Sequence, residues 1–256
     1  MVLVLDIGNT ALSFATYENE KRTAFFTVLT EHNLSEDEFT IKLQPMLSRY
    51  CLTLPEAIFI SSVVPSITPM MVTILTALLH KKPVVFSKGF KTGLPIQIDH
   101  PSELGSDLVV DGVQAMNRYG YPCIIADLGT ATKLIGIDQH GRLIGVSILP
   151  GFMISYQALI GKASQLMDIP LKRPTKILGK NTPDSITSGV ILGHEAMVFN
   201  LMNGIEKEMG YPCKKIMTGG YSHYFNDHLP SDVQWDPFLN VDGLFTIYQK
   251  NKELFL

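Results

Sequence analysis

Residues 1–10 read MVLVLDIGNT, and residues 122–132 read PCIIADLGTAT. In both stretches an apolar run typical of a buried strand ends in Asp-x-Gly and a threonine-bearing turn. Another apolar segment follows each turn, at residues 11–17 and 134–137, so each stretch predicts a strand, a tight polar loop and a returning strand. We interpret the two stretches as the products of a divergent duplication, one in each half of the chain.

Helix and strand patterns alternate along the rest of both halves. Further strands are predicted at residues 57–60, 83–86, 143–148 and 215–217. Helices are predicted at residues 34–50, 69–79, 106–119, 153–167, 185–209 and 239–248. In the first helix, Ser35 and Glu38 have the spacing of a capping box. The alternation is typical of an α/β fold, and Gly120 followed by Pro122 predicts a boundary between lobes at residues 1–119 and 120–256.

Composition narrows the class of protein. With 46% hydrophobic residues, a chain of 256 residues can bury a large core or two ordinary ones. Its 21 basic and 24 acidic residues give a net charge of −3, without the positive field that nonspecific nucleic-acid binding requires. Three scattered cysteines predict neither disulfides nor zinc. No signal peptide or apolar run of about 20 residues is found, so we expect a cytoplasmic protein without a membrane partner.

The two Asp-x-Gly turns carry groups suited to polyphosphate. A glycine directly after a strand lets backbone N–H groups approach phosphate oxygens. The added hydroxyls are those of Thr10, Thr130 and Thr132, and the carboxylates of Asp6 and Asp127 can hold a cation. One such turn is ordinary turn chemistry, but two, with a third glycine turn at residues 218–220, indicate a nucleotide site. Gly219 and Gly220 suit backbone contact with adenosine, although a plain strand-to-helix turn explains them equally well.

Eight short motifs occur in a diagnostic order. They are Asp6-Ile7-Gly8-Asn9-Thr10, Ser61-Ser62-Val63-Val64-Pro65, Lys91-Thr92-Gly93-Leu94, Glu103-Leu104-Gly105-Ser106-Asp107, Asp127-Leu128-Gly129-Thr130-Ala131-Thr132, Leu149-Pro150-Gly151, Ser188-Gly189 and Thr218-Gly219-Gly220. This series resembles the type III pantothenate kinases over nearly the whole chain. The resemblance implies the actin-like fold of the acetate and sugar kinase superfamily, with two ribonuclease-H-like lobes and usually a homodimer. It also implies ATP-dependent phosphorylation of pantothenate, the first step of coenzyme A synthesis.

The resemblance also implies roles for individual residues. The first phosphate loop is Asp6, Gly8, Asn9 and Thr10, and the second is Gly129, Thr130 and Thr132. Asp127 resembles the ligand of a monovalent cation, K⁺ or NH₄⁺, which the family needs beside Mg-ATP, and Asp6 is a candidate ligand for Mg²⁺. Asp107 matches the catalytic carboxylate that accepts the proton of the pantothenate hydroxyl, with Gly105, Ser106 and Thr182 at the substrate site. Without the resemblance, the explanation that we favour for Asp107 is an acid that only complements a helix dipole.

Departures from the family pattern cluster on the acceptor side. Leu108 replaces an arginine suited to the pantothenate carboxylate, and Ile98, His100 and Ala163 replace a tyrosine, an asparagine and a threonine. A rebuilt pocket would need another cation, for which the candidates are His100, Arg118 and Lys162. Two alternatives therefore stay open: a kinase for another small alcohol, and a non-catalytic regulator that binds nucleotide.

Lys133 is a further departure, at a position where the family commonly has a hydroxyl residue. Because successive residues of a strand face opposite ways, Lys133 should point away from Thr132. If Thr132 lines the phosphate loop, Lys133 points to solvent, and this is the reading that we favour over contact with phosphate.

Overall fold

The computed structural model describes residues 1–162 and 169–255, which form two compact units. The first unit comprises Met1–Leu94, His100–Gln114 and Leu239–Leu256, and the second comprises Pro95–Asp99 and Ala115–Phe238. The predicted lobe boundary between residues 119 and 120 stays a prediction. None of the described helices has both the length and the apolar composition needed to cross a bilayer.

The described strands and helices alternate along the chain. The strands are β1 Val2–Ile7, β2 Ala11–Glu18, β3 Lys21–Leu29, β4 Ala57–Ser62, β5 Val84–Val85, β6 Cys123–Leu128, β7 Ala131–Ile137, β8 Leu143–Pro150, β9 Lys214–Thr218 and β10 Val233–Trp235. The α-helices are α1 Glu36–Tyr50, α2 Thr68–Leu79, α3 Ser106–Tyr119, α4 Phe152–Lys162, α5 Thr182–Thr187, α6 Gly193–Met209 and α7 Leu239–Lys250.

Each unit contains one five-stranded mixed sheet, and the two sheets have the same topology. The strand order is β3-β2-β1-β4-β5 in the first unit and β8-β7-β6-β9-β10 in the second. β1 pairs antiparallel with β2 and parallel with β4, and β6 pairs antiparallel with β7 and parallel with β9. Both Asp-x-Gly turns therefore join corresponding strands. The matching sheets support the duplication, and the predicted α/β class is confirmed.

A local sequence signal explains where α1 begins, and the buried faces of the helices explain the two cores. The Ser35 side chain accepts a hydrogen bond from the Glu38 N–H, and the Glu38 carboxylate accepts one from the Ser35 N–H at 2.9 Å, so the predicted capping box of α1 is confirmed. In the first unit, α1 and α2 bury their apolar faces against β1, β2 and β4. In the second, α4 and α6 contribute to the core below β6, β7 and β9. Because the strands on either side of each Asp-x-Gly turn are packed into these cores, the cores hold both turns in place.

Two strands and one helix differ from the predictions. The edge strand β3 was not predicted because most of its residues are exposed or half-buried, which weakens the alternating pattern. It follows a tight turn in which Asn19 and Glu20 both have positive φ. The short strand β10 was also missed. The helix predicted at residues 185–209 is divided into α5, a π-helical turn at Ser188–Leu192, and α6.

Candidate active site

The first Asp-x-Gly loop joins β1 to β2 and is fastened by its own backbone. The Gly8 N–H donates to the Ala11 carbonyl at 3.0 Å, and the Thr30 hydroxyl donates to the Gly8 carbonyl at 2.7 Å. A Cβ atom on Gly8 would lie only 3.1 Å from the Ala11 oxygen, so the tight turn favours glycine. Asp6 and Thr10 are half-buried and Asn9 is exposed at the tip. The loop therefore presents polar groups from a rigid backbone.

The second loop, between β6 and β7, contains Gly129 and Thr130 and is packed against two other glycine turns. Gly219, which follows β9, has a φ of +94°, and a Cβ atom there would lie 2.5 Å from Asp127 Oδ1 and from the Leu128 nitrogen. Gly151, at the start of α4, is equally close, because its Cβ would lie 2.7 Å from the Thr130 carbonyl carbon and 2.9 Å from the Gly129 oxygen. The structure thus brings Gly219 to the second loop. It also places Gly151 directly against this loop, a contact that the Leu149-Pro150-Gly151 motif alone did not indicate.

Lys133 contacts Asp127, so the expectation that it points to solvent is wrong. The two residues are direct cross-strand partners of β6 and β7, and Lys133 Nζ lies 2.7 Å from Asp127 Oδ2. Both side chains are largely buried, with exposed fractions of 16% for Lys133 and 12% for Asp127. The ammonium of Lys133 therefore belongs to the candidate site.

The cause of this error is the orientation of β7. Thr132 and Lys133 do face opposite ways, but the face that Thr132 occupies is the core. Its side chain is fully buried, and its hydroxyl is 2.9 Å from His194 Nε2. Burial lowers the pKa of His194, which favours a neutral imidazole between the rings of Phe152 and Phe225. We therefore leave Thr132 out of the phosphate site proposed below.

Asp107 lies in the first turn of α3, whose start is fastened to the end of β4. The Ser106 hydroxyl donates to the Ser62 carbonyl at 3.1 Å and is 3.0 Å from Ser61 Oγ. The half-buried Asp107 carboxylate accepts a hydrogen bond from its neighbour's N–H at 3.0 Å and lies so close to Gly105 that a Cβ atom at Gly105 would collide with it. The fixed helix start thus holds a carboxylate in a defined position.

Leu108, where the family pattern has arginine, is only 6% exposed and forms part of the interior. Of the cations considered as replacements, Arg118 pairs with the buried Asp236 at 2.5 Å and His100 is exposed. Ala163 and the Lys162 side chain lie outside the described residues. None of the described replacements can therefore be assigned to the acceptor on this geometry.

Thr182 borders a cavity in the second unit that is open to solvent and has a volume of about 510 Å³. Its polar lining includes Lys180, Asn181, Thr182 and Ser185. Asn181 caps α5, since its side chain accepts a hydrogen bond from the Asp184 N–H at 2.9 Å. A Cβ atom on Gly179 would lie 2.7 Å from the carbonyl carbon of Asp184, so the chain passes close to this helix start. The cavity therefore combines a cation, Lys180, with neutral polar groups.

Comparisons with known proteins identify the family and the fold of the chain. A family model of type III pantothenate kinases matches residues 2–204. A type III pantothenate kinase from Geobacillus sp. (strain WCH70) is 34% identical over 253 residues, which is 98% of each chain. The crystal structure of a Baf family protein from Campylobacter jejuni has a TM-score of 0.61 at 18% identity, covering 98% of this chain and 99% of that one. An archaeal actin homologue has a TM-score of 0.53 at 11% identity, with the same coverage. The predicted actin-like fold is thereby confirmed, and the chain belongs to the type III pantothenate kinase family.

Proposed function

We propose that this protein transfers the terminal phosphoryl group of ATP to the hydroxyl of pantothenate, giving phosphopantothenate for coenzyme A synthesis. The observation that carries the proposal is that both Asp-x-Gly loops stand on corresponding strands of matching sheets. The chain also aligns over 98% of its length with a type III pantothenate kinase. The homodimer and the cytoplasmic location remain parts of this proposal.

The two loops and the third glycine turn would bind the nucleotide. Backbone N–H groups of Asn9, Gly129 and Thr130 would bind phosphate oxygens together with the hydroxyls of Thr10 and Thr130, while Gly8 holds the turn through its bond to Ala11. Gly219 and Gly220 would lie against the adenosine. Asp6, a half-buried carboxylate at the base of the first loop, is suited to Mg²⁺, which neutralises charge on the transferring phosphoryl group when bound. We do not include the monovalent cation expected at Asp127 in this proposal, because the Lys133 ammonium already contacts that carboxylate.

Asp107 would act on the acceptor. Phosphoryl transfer depends mainly on in-line positioning and charge stabilisation, and a carboxylate orients the attacking hydroxyl and takes up its proton. The hydrogen bond that the Asp107 carboxylate accepts from the Leu108 N–H restricts the rotamers of Asp107. Little side-chain entropy would therefore be lost when this carboxylate engages the acceptor. The retained Asp107 argues against the regulator alternative, which would need nucleotide binding without this group.

Lys180 is our candidate for the charge lost at Leu108. It borders the same cavity as Thr182, and an ammonium can pair with the pantothenate carboxylate while Thr182 binds a polar group of the same substrate. The buried Leu108 is also the observation that favours the second candidate function, a kinase for another small alcohol. In that case the acceptor would lack a carboxylate.

The test is ATP-dependent phosphorylation of pantothenate and of a panel of related alcohols by the purified protein. Loss of a general base costs about 10²–10⁴-fold in rate, so Asp107→Asn should lower turnover by that amount while leaving ATP binding intact. Asp37→Asn is the matched control, because Asp37 is an exposed acid in the first turn of α1. Equal activity of the two variants would reduce Asp107 to a helix-dipole role.

A second variant tests the acceptor pocket. Lys180→Gln should raise the KM for pantothenate about tenfold or more, the value of a charge-assisted hydrogen bond, and should leave the KM of an uncharged amide analogue unchanged. Turnover on another alcohol but not on pantothenate would replace the assigned acceptor. Absence of turnover on every alcohol despite ATP binding would leave the regulator.

A further inference from the structure

The Lys133–Asp127 ion pair conflicts with a separate monovalent cation at Asp127. The ammonium lies 2.7 Å from Asp127 Oδ2, in a place where the lysine side chain is only 16% exposed. A metal ion bound to the same carboxylate oxygen would sit beside a second unit of positive charge in a poorly solvated site, where like charges repel strongly. The residues present therefore do not fit a K⁺ or NH₄⁺ site on this carboxylate.

We propose that the Lys133 ammonium takes the place of the monovalent cation, so that the second phosphate loop works without K⁺ or NH₄⁺. This inference rests on the proposed function in one respect, namely that the loop binds the phosphates of ATP. An alkylammonium carries the unit charge of K⁺ and is chemically a substituted NH₄⁺, with three N–H donors for oxygen ligands.

The surroundings of Asp127 support this reading. Asp127 Oδ1 faces the backbone of Gly219, where a Cβ atom would be 2.5 Å away, while Oδ2 faces Lys133. A Cβ atom on Gly129 would lie 3.6 and 3.7 Å from the two oxygens. The carboxylate thus stands between two glycine turns that we assign to nucleotide binding, with the lysine charge directly beside it. A positive charge in this place lowers the cost of bringing a polyphosphate to the loop.

Covalent attachment explains how a lysine can serve here. Lys133 is fixed opposite Asp127 by the β6–β7 register, so the charge is present at every ionic composition. A free ion must instead be bound and ordered before it contributes, whereas a preorganised group avoids that cost. The site would therefore respond to nucleotide concentration but not to K⁺ concentration.

The decisive variant is Lys133→Ser, which restores the hydroxyl that the family commonly has at this position. Lys207→Ser is the matched control, because Lys207 is exposed on α6 in the same unit. Turnover is measured in tetramethylammonium buffer, with and without added K⁺ or NH₄⁺. We expect the unmodified protein and the control to be indifferent to these ions, and Lys133→Ser to be weak without them and restored about tenfold or more by either.

A direct binding measurement makes the result independent of the acceptor. Thallium(I) NMR is recorded on the ADP complex and competed with K⁺. We expect saturable, K⁺-displaceable Tl⁺ binding by Lys133→Ser and none by the unmodified protein. Tl⁺ binding by the unmodified protein, displaced by K⁺, overturns the inference even if Lys133→Ser fails to fold. Folded Lys133→Ser that gains neither Tl⁺ binding nor ion dependence overturns it as well, and reduces Lys133 to a structural ion pair. Failure of pantothenate turnover alone bears only on the proposed function.

Discussion

Replacement of Gly151 by alanine should displace the second phosphate loop, which Gly151 contacts although it lies outside the loop in sequence. The new Cβ would lie 2.7 Å from the Thr130 carbonyl carbon and 2.9 Å from the Gly129 oxygen, and the Thr130 oxygen would be closer still. Ordinary van der Waals contact begins at 3.4 Å. The neighbouring atoms are backbone, so no side chain can rotate away, and either the loop or the start of α4 must move by roughly 1 Å.

The size of the effect follows from this displacement. A misplacement of about 1 Å in a positioning element costs about a hundredfold in rate, which corresponds to about 2.7 kcal/mol. The overpacked contact should also lower the free energy of unfolding by about 1–3 kcal/mol. We expect Gly151→Ala to lose kcat/KM for ATP by about a hundredfold and to bind ADP more weakly in calorimetry, while remaining folded.

Gly145→Ala supplies the control. Gly145 lies in β8, the strand that leads to Gly151, and apart from its chain neighbours no atom of the described residues stands within 4 Å of its added Cβ. This variant should keep both nucleotide affinity and kcat/KM. If Gly151→Ala binds ADP as tightly as Gly145→Ala does, the contact between the α4 start and the second loop does not position the phosphates, and the reasoning fails.

Two further predictions concern buried polar groups. Burial holds the pKa of His194 below its usual 6.5, so the unfolded chain binds more protons than the folded one as pH falls below about 6.5. The stabilising contribution of the neutral imidazole should therefore be fully present above that pH and decline below it. In urea titrations run across pH, His194→Gln should flatten this decline in unfolding free energy, and parallel curves for the two proteins would contradict a neutral His194 beside Thr132. The Tyr17 hydroxyl donates a hydrogen bond to Asp242 at 2.5 Å, and its ring stacks on Phe245. Tyr17→Phe keeps the stacked rings and should lower the free energy of unfolding by about 1.5–3 kcal/mol at an unchanged m-value. A loss below about 0.5 kcal/mol would mean that the hydrogen bond contributes nothing net.

Features encoded within a few residues could be predicted from the sequence. The capping box of α1 needs only Ser35 and Glu38, three positions apart, and both are found in their predicted roles. The two Asp-x-Gly turns likewise depend on an apolar run, a glycine and a returning run. Their recurrence was enough to predict a strand, a tight loop and a returning strand in each half, and both sheets contain this unit in corresponding places.

The strand faces in the site could not be predicted in the same way. Alternation states that Thr132 and Lys133 face opposite ways, but it does not state which face meets a helix. That is decided by His194, on α6, which is distant in sequence and contacts Thr132 in the core. The role of Gly151 was hidden for the same reason, because its lack of a side chain matters only through contact with Thr130.

The duplicated loops differ in one respect that follows from the strand registers. Across β1 and β2, Asp6 is paired with Ser13, whereas across β6 and β7, Asp127 is paired with Lys133. Directly opposite residues share a face of the sheet, so one carboxylate has an uncharged neighbour in this position and the other has a fixed ammonium. A carboxylate beside a hydroxyl suits an exchangeable divalent cation that enters with the nucleotide, whereas a carboxylate beside a lysine carries its countercharge permanently. The same turn can thus divide the two cation tasks of a phosphoryl transfer site between a bound ion and a side chain.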